Sequence, residues 1–241
     1  RMYLNKWYID LDNLVYKFNS QLNTVQALPE GVQEWNYVLG LDLGYNDDTA
    51  WTIMAYNQHL KELFVIETIK RPNLIISEVA TITETLNAKY NFTKMVVDGA
   101  GKQAVEEMRQ RYNLPLESAQ KTNKRDFIEL LNADLQTGKI KVLTPNGQDL
   151  MLEWENLIWD ERLKLTGKYV EHPSCPNHLA DSFLYGWRWC FNYAWVPKSP
   201  PKKQAEDYVE EFWDKESYKL EESKNNTTIP LWEKEFKQYG W

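Results

Sequence analysis

The stretch YVLGLDL, Tyr37 to Leu43, constrains the fold more than any other part of the chain. A strand with one wet face alternates apolar and polar letters. A run that is apolar nearly throughout reads as a strand covered on both faces, with a layer of structure above and below it. The 241 residues can supply such layers: hydrophobic letters make up 43%, with eleven Trp, fourteen Tyr and eight Phe. The run also carries Asp42, and Asp47 and Asp48 follow just beyond Gly44. Crowded carboxylates repel one another and lose hydration, so each is pushed toward its neutral acid unless a cation stands beside it. The end of this strand calls for positive charge, and a metal ion is one way to supply it.

The segments around this strand define an α/β layer protein. Thr49–Asn57 and Glu62–Lys70 are β-branched and aromatic, separated by a short polar turn, and with the first strand they predict an antiparallel three-stranded meander. Residues 73–90 show helical spacing. Lys94–Gly101 (KMVVDGAG) reads as a short strand ending on a second acid, Asp98, before a glycine turn. A helix, a short strand at LPLESA, a helix stopped at Gly138 and another strand follow. Arg162–Glu171 is expected to be a hairpin turning at Thr166–Gly167. Asn177–Trp195 is a long apolar helix with Asp181 in its first two turns and Asn177 or Ser174 as its cap. This order predicts a mixed sheet, a meander on one side and parallel strands on the other, flanked by helices.

Three regions differ in texture: a lead-in over 1–36, the domain over 37–195, and a polar tail over 196–241, partly helical, with Trp213, Trp232, Phe236 and Trp241. Two cysteines, Cys175 and Cys190, are too few for a disulfide framework, and neither a signal peptide nor a long apolar span is visible, which points to a soluble intracellular protein. The net charge of −7 argues against a passive nucleic-acid binder, but a metal-using enzyme can supply positive charge locally.

Asp42 and Asp98 both stand at C-terminal strand ends, the edge of an open α/β sheet where ligands bind. Asp181 lies on a helix otherwise too apolar to face water. Either acid before a glycine, taken alone, is ordinary turn chemistry. Three from separate elements suit hard divalent cations, Mg²⁺ or Mn²⁺. Two such ions about 3.5–4 Å apart can activate water and stabilise the leaving oxygen of a phosphodiester.

VLGLDLGYNDDTAW, MVVDGAG and CPNHLADSFLYGWRW together resemble the nuclease domain of the large terminase subunit of tailed bacteriophages, over about residues 37–195. The resemblance implies a ribonuclease H-like fold and a two-metal endonuclease that cuts double-stranded DNA, with little sequence preference, during viral genome packaging. By that resemblance Asp42 bridges two metals, Asp98 and Asp181 each help bind one, and Asp48 is an auxiliary acid. It also implies the portal protein and the small terminase subunit as partners, the host cytoplasm as location, no membrane, and a monomeric isolated domain. The family's packaging ATPase needs a G-x-x-x-x-G-K-[ST] loop, which this sequence lacks, so the chain is expected to be the nuclease part of a longer protein, without ATPase activity.

Other signals are weaker. His172, Cys175 and His178 have zinc-like spacing, but two prolines and no second cysteine pair favour a capped loop. His178 shares a helical face with Asp181 and is a candidate to orient it. Lys121, Lys124 and Arg125, and Arg162, Lys164 and Lys168, are the densest basic stretches and the candidate DNA-phosphate contacts. The aromatic stripe Phe183, Tyr185, Trp187, Trp189 and Phe191 reads as core or interface. Two other classes fit part of the pattern: an actin-like or sugar-kinase ATPase, which also opens on Asp-x-Gly and a meander, and a non-enzymatic assembly module docking through the tail.

Overall fold

The computed structural model describes residues 13–44 and 47–194. The chain divides after Val196, and all described residues fall in the first unit. The tail expected from residue 196 onward lies outside them.

In chain order the strands are β1 (Thr24–Val25), β2 (Asn36–Asp42), β3 (Asp48–Tyr56), β4 (Leu63–Pro72), β5 (Lys94–Val97), β6 (Leu116–Ser118) and β7 (Ile140–Leu143). They form one mixed sheet in the order β1-β7-β4-β3-β2-β5-β6. β2, β3 and β4 are the antiparallel meander. β5 pairs parallel with β2, and β6 with β5; on the other side β7 pairs parallel with β4, and β1 with β7. The helices are α1 (Ser20–Asn23), α2 (Ile76–Tyr90), α3 (Lys102–Tyr112), α4 (Lys124–Gln136), α5 (Gln148–Asn156), α6 (Glu161–Lys164) and α7 (His178–Trp189).

The apolar run of β2 is covered on both faces. Leu39 and Leu41 pack with Val79 and Leu86 of α2 and Val105 and Met108 of α3. Val38 packs on the opposite face with Leu131 of α4, Trp154 of α5, and Phe183 and Trp187 of α7. Because side chains alternate along a strand, Asp42 emerges on the face of Val38, beneath α7.

Two glycines let α7 lie almost on the sheet. A Cβ on Gly40 would stand 1.9 Å from the carbonyl oxygen of Ser182, and one on Gly186 would stand 2.1 Å from the Met54 methyl. Inside this contact the Thr52 and Ser182 hydroxyls are 2.5 Å apart. The start of α7 is anchored by Glu153, whose carboxylate accepts from the Ala180 amide at 2.9 Å and pairs with Lys70 at 2.9 Å. An anion at this end of a helix satisfies an otherwise unpaired N–H and meets the positive end of the dipole.

Three expectations change. The hairpin over 162–171 is instead a helical turn, α6, because the Asp160 side chain accepts from the amides of Arg162 and Leu163 and caps it. The ladder contact found there among the described residues is the isolated bridge between Trp159 and Glu171. The cap foreseen for α7 is also different: Asn177 is at the cap position but makes no side-chain cap bond, and its amide donates to Glu171. The lead-in is packed into the body from Asn13 on, where Val15 and Tyr16 are buried beside Trp154. Asn23 donates to the carbonyls of Leu135 and Ile140, and β1 extends the sheet.

Candidate metal centre

Asp42 is the last residue of β2 and Asp98 the first after β5, and the Asp98 amide donates to the Leu41 carbonyl at 2.9 Å. The parallel pairing of these strands sets both acids on one sheet edge. The close approach of Ser182 to Gly40 brings the start of α7, and with it Asp181, over the same edge. All three acids are largely shielded from solvent, with side-chain exposures of 11, 12 and 14%.

Tyr185 lies one helical turn after Asp181 on α7. Burial, and then the charges of Asp181, Asp42, Asp98 and Glu171, push its phenol far above the usual range, so it stays protonated. Asp42 is raised as well: burial is the largest cause, the hydrogen bond from His178 opposes it, and the charge of Asp98 adds to it. Burial raises the Asp181 carboxyl most strongly, to about 7; Lys124 pulls it down, while Glu171 and Asp42 push it up.

Among the described residues no three His, Cys, Asp or Glu side chains are grouped as ligands for one ion. Protein cations stand among the acids instead. His178 spans two carboxylates, with Nδ1 3.1 Å from Asp42 and Nε2 3.2 Å from Asp47. Its pKa is raised to about 9, chiefly by the Asp42 hydrogen bond. Lys121 pairs with Asp98 at 2.5 Å. Lys124 lies 2.6 Å from Asp181 Oδ1 and 2.9 Å from Glu171 Oε1. Burial opposes the Lys124 charge, but Asp181 and Glu171 outweigh it and hold its pKa above the ordinary value.

The donor set nevertheless fits a hard divalent cation. Asp181 Oδ1 and Glu171 Oε1 are buried and converge on the single Lys124 ammonium, 2.6 and 2.9 Å away, a position that a cation could take. Converging buried carboxylate oxygens are what Mg²⁺ and Mn²⁺ coordinate.

The other candidates are distributed as follows. Asp48 opens β3 opposite Pro72, and it is its neighbour Asp47 that reaches His178. Arg125 stacks 3.4 Å over the Tyr169 ring, and Lys164 donates to Asn13 at 3.1 Å. Arg162 and Lys168 are exposed around α6. The zinc-like trio is spread over separate partners: His172 contacts the Ser174 hydroxyl, Cys175 the Asn156 carbonyl, and His178 the two aspartates. In the aromatic stripe Phe183 and Trp187 are core, Tyr185 faces the acids, and Phe191 is exposed. Glu171 and Asp47 are the site residues that sequence reasoning passed over. Asp47 was visible as half of the acidic pair before Thr49, whereas Glu171 carries no motif.

No family model matches the chain. Over 152 residues it is 25% identical to the large terminase subunit of Escherichia phage T5, a match covering 62% of this chain and 34% of that protein. The chain thus spans about a third of the length of that curated relative. Among solved structures, the large terminase of a thermophilic bacteriophage aligns with a TM-score of 0.62 at 15% identity, over 72% of this chain and 44% of that one. The large terminase nuclease of thermophilic phage G20c with bound magnesium aligns with a TM-score of 0.57 at 16% identity, over 73% and 97%. The mixed sheet, the acids on its edge and these alignments together show that the chain has the ribonuclease H-like fold of phage large-terminase nuclease domains.

Proposed function

We propose that residues 37–195, with the segment packed on them from Asn13, form a divalent-metal-dependent endonuclease that cuts double-stranded DNA, with little sequence preference, in phage genome packaging. The observation that carries this reading is the convergence of Asp42, Asp98 and Asp181, from two neighbouring strand ends and the start of the helix lying on them, at one sheet edge. The magnesium bound in the similar G20c nuclease supports the choice of metal.

Asp42, Asp98 and Asp181 would hold the ions, two in number, with Glu171 beside Asp181 and Asp48 as an auxiliary acid. Divalent cations supply Lewis-acid stabilisation of charge on a phosphodiester and a means of activating water at neutral pH. The chain's own residues do the rest. Asp47 and Asp42 hold His178 in one orientation from both ring nitrogens. Tyr185 keeps its proton and remains a hydrogen-bond donor at any working pH. Lys121 and Lys124 balance the acids, and with a cation held there they would be free to turn to substrate phosphate. Arg125, Arg162, Lys164 and Lys168 extend that positive surface along the duplex. The portal protein and the small terminase subunit are the partners this role requires, and the tail over 196–241 is the segment proposed to dock.

Cleavage of supercoiled plasmid in Mn²⁺ tests the reading. Asp42→Asn, Asp98→Asn and Asp181→Asn should each lower the rate by more than the about 10–100-fold that loss of an outer partner of a metal ligand costs. Wild-type rates in all three folded variants would overturn it.

A further inference from the structure

Beside Asp98, on the side away from α7, opens a cleft of about 630 Å³. Its place follows from the sheet. Val97 and Ser118 are partners at the ends of parallel strands β5 and β6, so the chain leaves the sheet side by side at Gly99 and Ala119, and α3 forms the facing wall. Gly99 keeps the floor open: a Cβ there would come within 3.2 Å of Ser118 Cβ.

The lining is positive in a chain of net charge −7. Lys102, Arg109 and Lys121 stand against one acid, Glu106. Glu106 is itself engaged, accepting from Gln110 at 2.7 Å and lying 3.4 Å from an Arg109 nitrogen. Arg109 is fixed in the wall by donating from Nε to the Leu116 carbonyl at 2.9 Å. Lys121 belongs both to this lining and to the Asp98 ion pair, so the cleft borders the acidic centre. Its volume lies in the range of about 300–1,000 Å³ typical of small-molecule sites, which suits a nucleotide-sized segment and not a duplex. Val105 and Ala119 provide apolar wall for a sugar or base, and the cations provide for phosphate.

We propose that this cleft seats the nucleotide adjacent to the scissile phosphodiester on the strand being cut, with Lys102 and Arg109 holding its phosphate. The assignment rests on the nuclease reading and adds to it the path of the cleaved strand.

Lys102 is an exposed residue at the start of α3, so its replacement leaves the fold intact. Binding of a fluorescent DNA duplex is measured by anisotropy on the full chain carrying Asp42→Asn to prevent cutting. Adding Lys102→Glu should weaken binding about fivefold or more, the equivalent of about 1 kcal/mol. It should also reduce the slope of log affinity against log salt by about 1, the signature of one lost phosphate contact. Lys102→Arg should restore both. Lys61→Glu makes the same charge change in the turn between β3 and β4, at the opposite sheet edge, and should alter the slope far less. Ser118→Trp, which fills the cleft without changing charge, should also weaken binding. If the duplex is bound and wild type cuts plasmid, but Lys102→Glu matches Lys61→Glu and Ser118→Trp is silent, the cleft assignment is overturned and the nuclease reading stands. If wild type neither cuts nor binds DNA, the nuclease reading falls and takes the cleft with it.

Discussion

Asp181 shows how a single side chain ties the chemistry of the centre to the stability of the fold. Its carboxyl is raised from the ordinary Asp value to about 7 because burial outweighs the pull of Lys124. Between about pH 4 and 7 the folded protein therefore binds more protons at this residue than the unfolded chain does. Stability falls as pH rises through that window, and the full cost is present above it. Asp181→Asn removes the cost. In the absence of divalent metal its melting temperature should exceed that of wild type by about 2–4 °C or more above pH 7, about 1 kcal/mol for a domain of this size. The two curves should meet below about pH 4; scanning calorimetry in chelator across that range checks it. The three aspartates were legible as residues because each breaks an apolar pattern: two at strand ends, one on a buried helix. Glu171 was not, since it follows an irregular turn and its place beside Asp181 is set by the path of the chain around α6 and by Lys124 and Asn177.

At the scale of elements, the decisive contact is α7 on β2. The ends of β2 and β5 are neighbours in the ladder whatever covers them, but Asp181 reaches them only because α7 approaches β2 to backbone contact at Gly40. Gly40→Ala puts a methyl into the Ser182 carbonyl, and a backbone group cannot swing aside as a side chain end can. It should cost about 1–3 kcal/mol or more, as overpacking does. It should also displace α7, so that cleavage falls even at temperatures where the variant is folded. A melting curve together with a plasmid assay well below the midpoint separates the two effects. The meander and the order of strands and helices were readable from period-2 and period-3.6 patterns, which depend on near neighbours in sequence. The helical turn at α6 was misread as a hairpin because basic and β-branched letters around Gly167 resemble one, while the deciding bond, Asp160 onto two following amides, is a cap preceding the stretch.

At the scale of the molecule, an acidic chain concentrates protein cations at its cluster of buried acids. His178, Lys121 and Lys124 neutralise that edge, and on the proposed reading divalent ions would take their place. Metal binding should therefore add stability by mass action. At a Mn²⁺ concentration about a hundred times the dissociation constant, the gain is about 2.7 kcal/mol. Melting temperature should climb with Mn²⁺ in wild type and stay flat in a variant carrying Asp42→Asn, Asp98→Asn and Asp181→Asn together; equal shifts in both proteins would place the bound ions elsewhere. The sequence by itself determined the layered α/β architecture and the three acids that gather at one end of its sheet, because strand burial and helix periodicity are written in local order. Only the tertiary structure decided which cations meet those acids, that Asp47 and Glu171 join them, and that a positive cleft opens beside Asp98. Those features arise where loops and helices distant in sequence are forced together by close packing, and no short-range pattern encodes such a meeting.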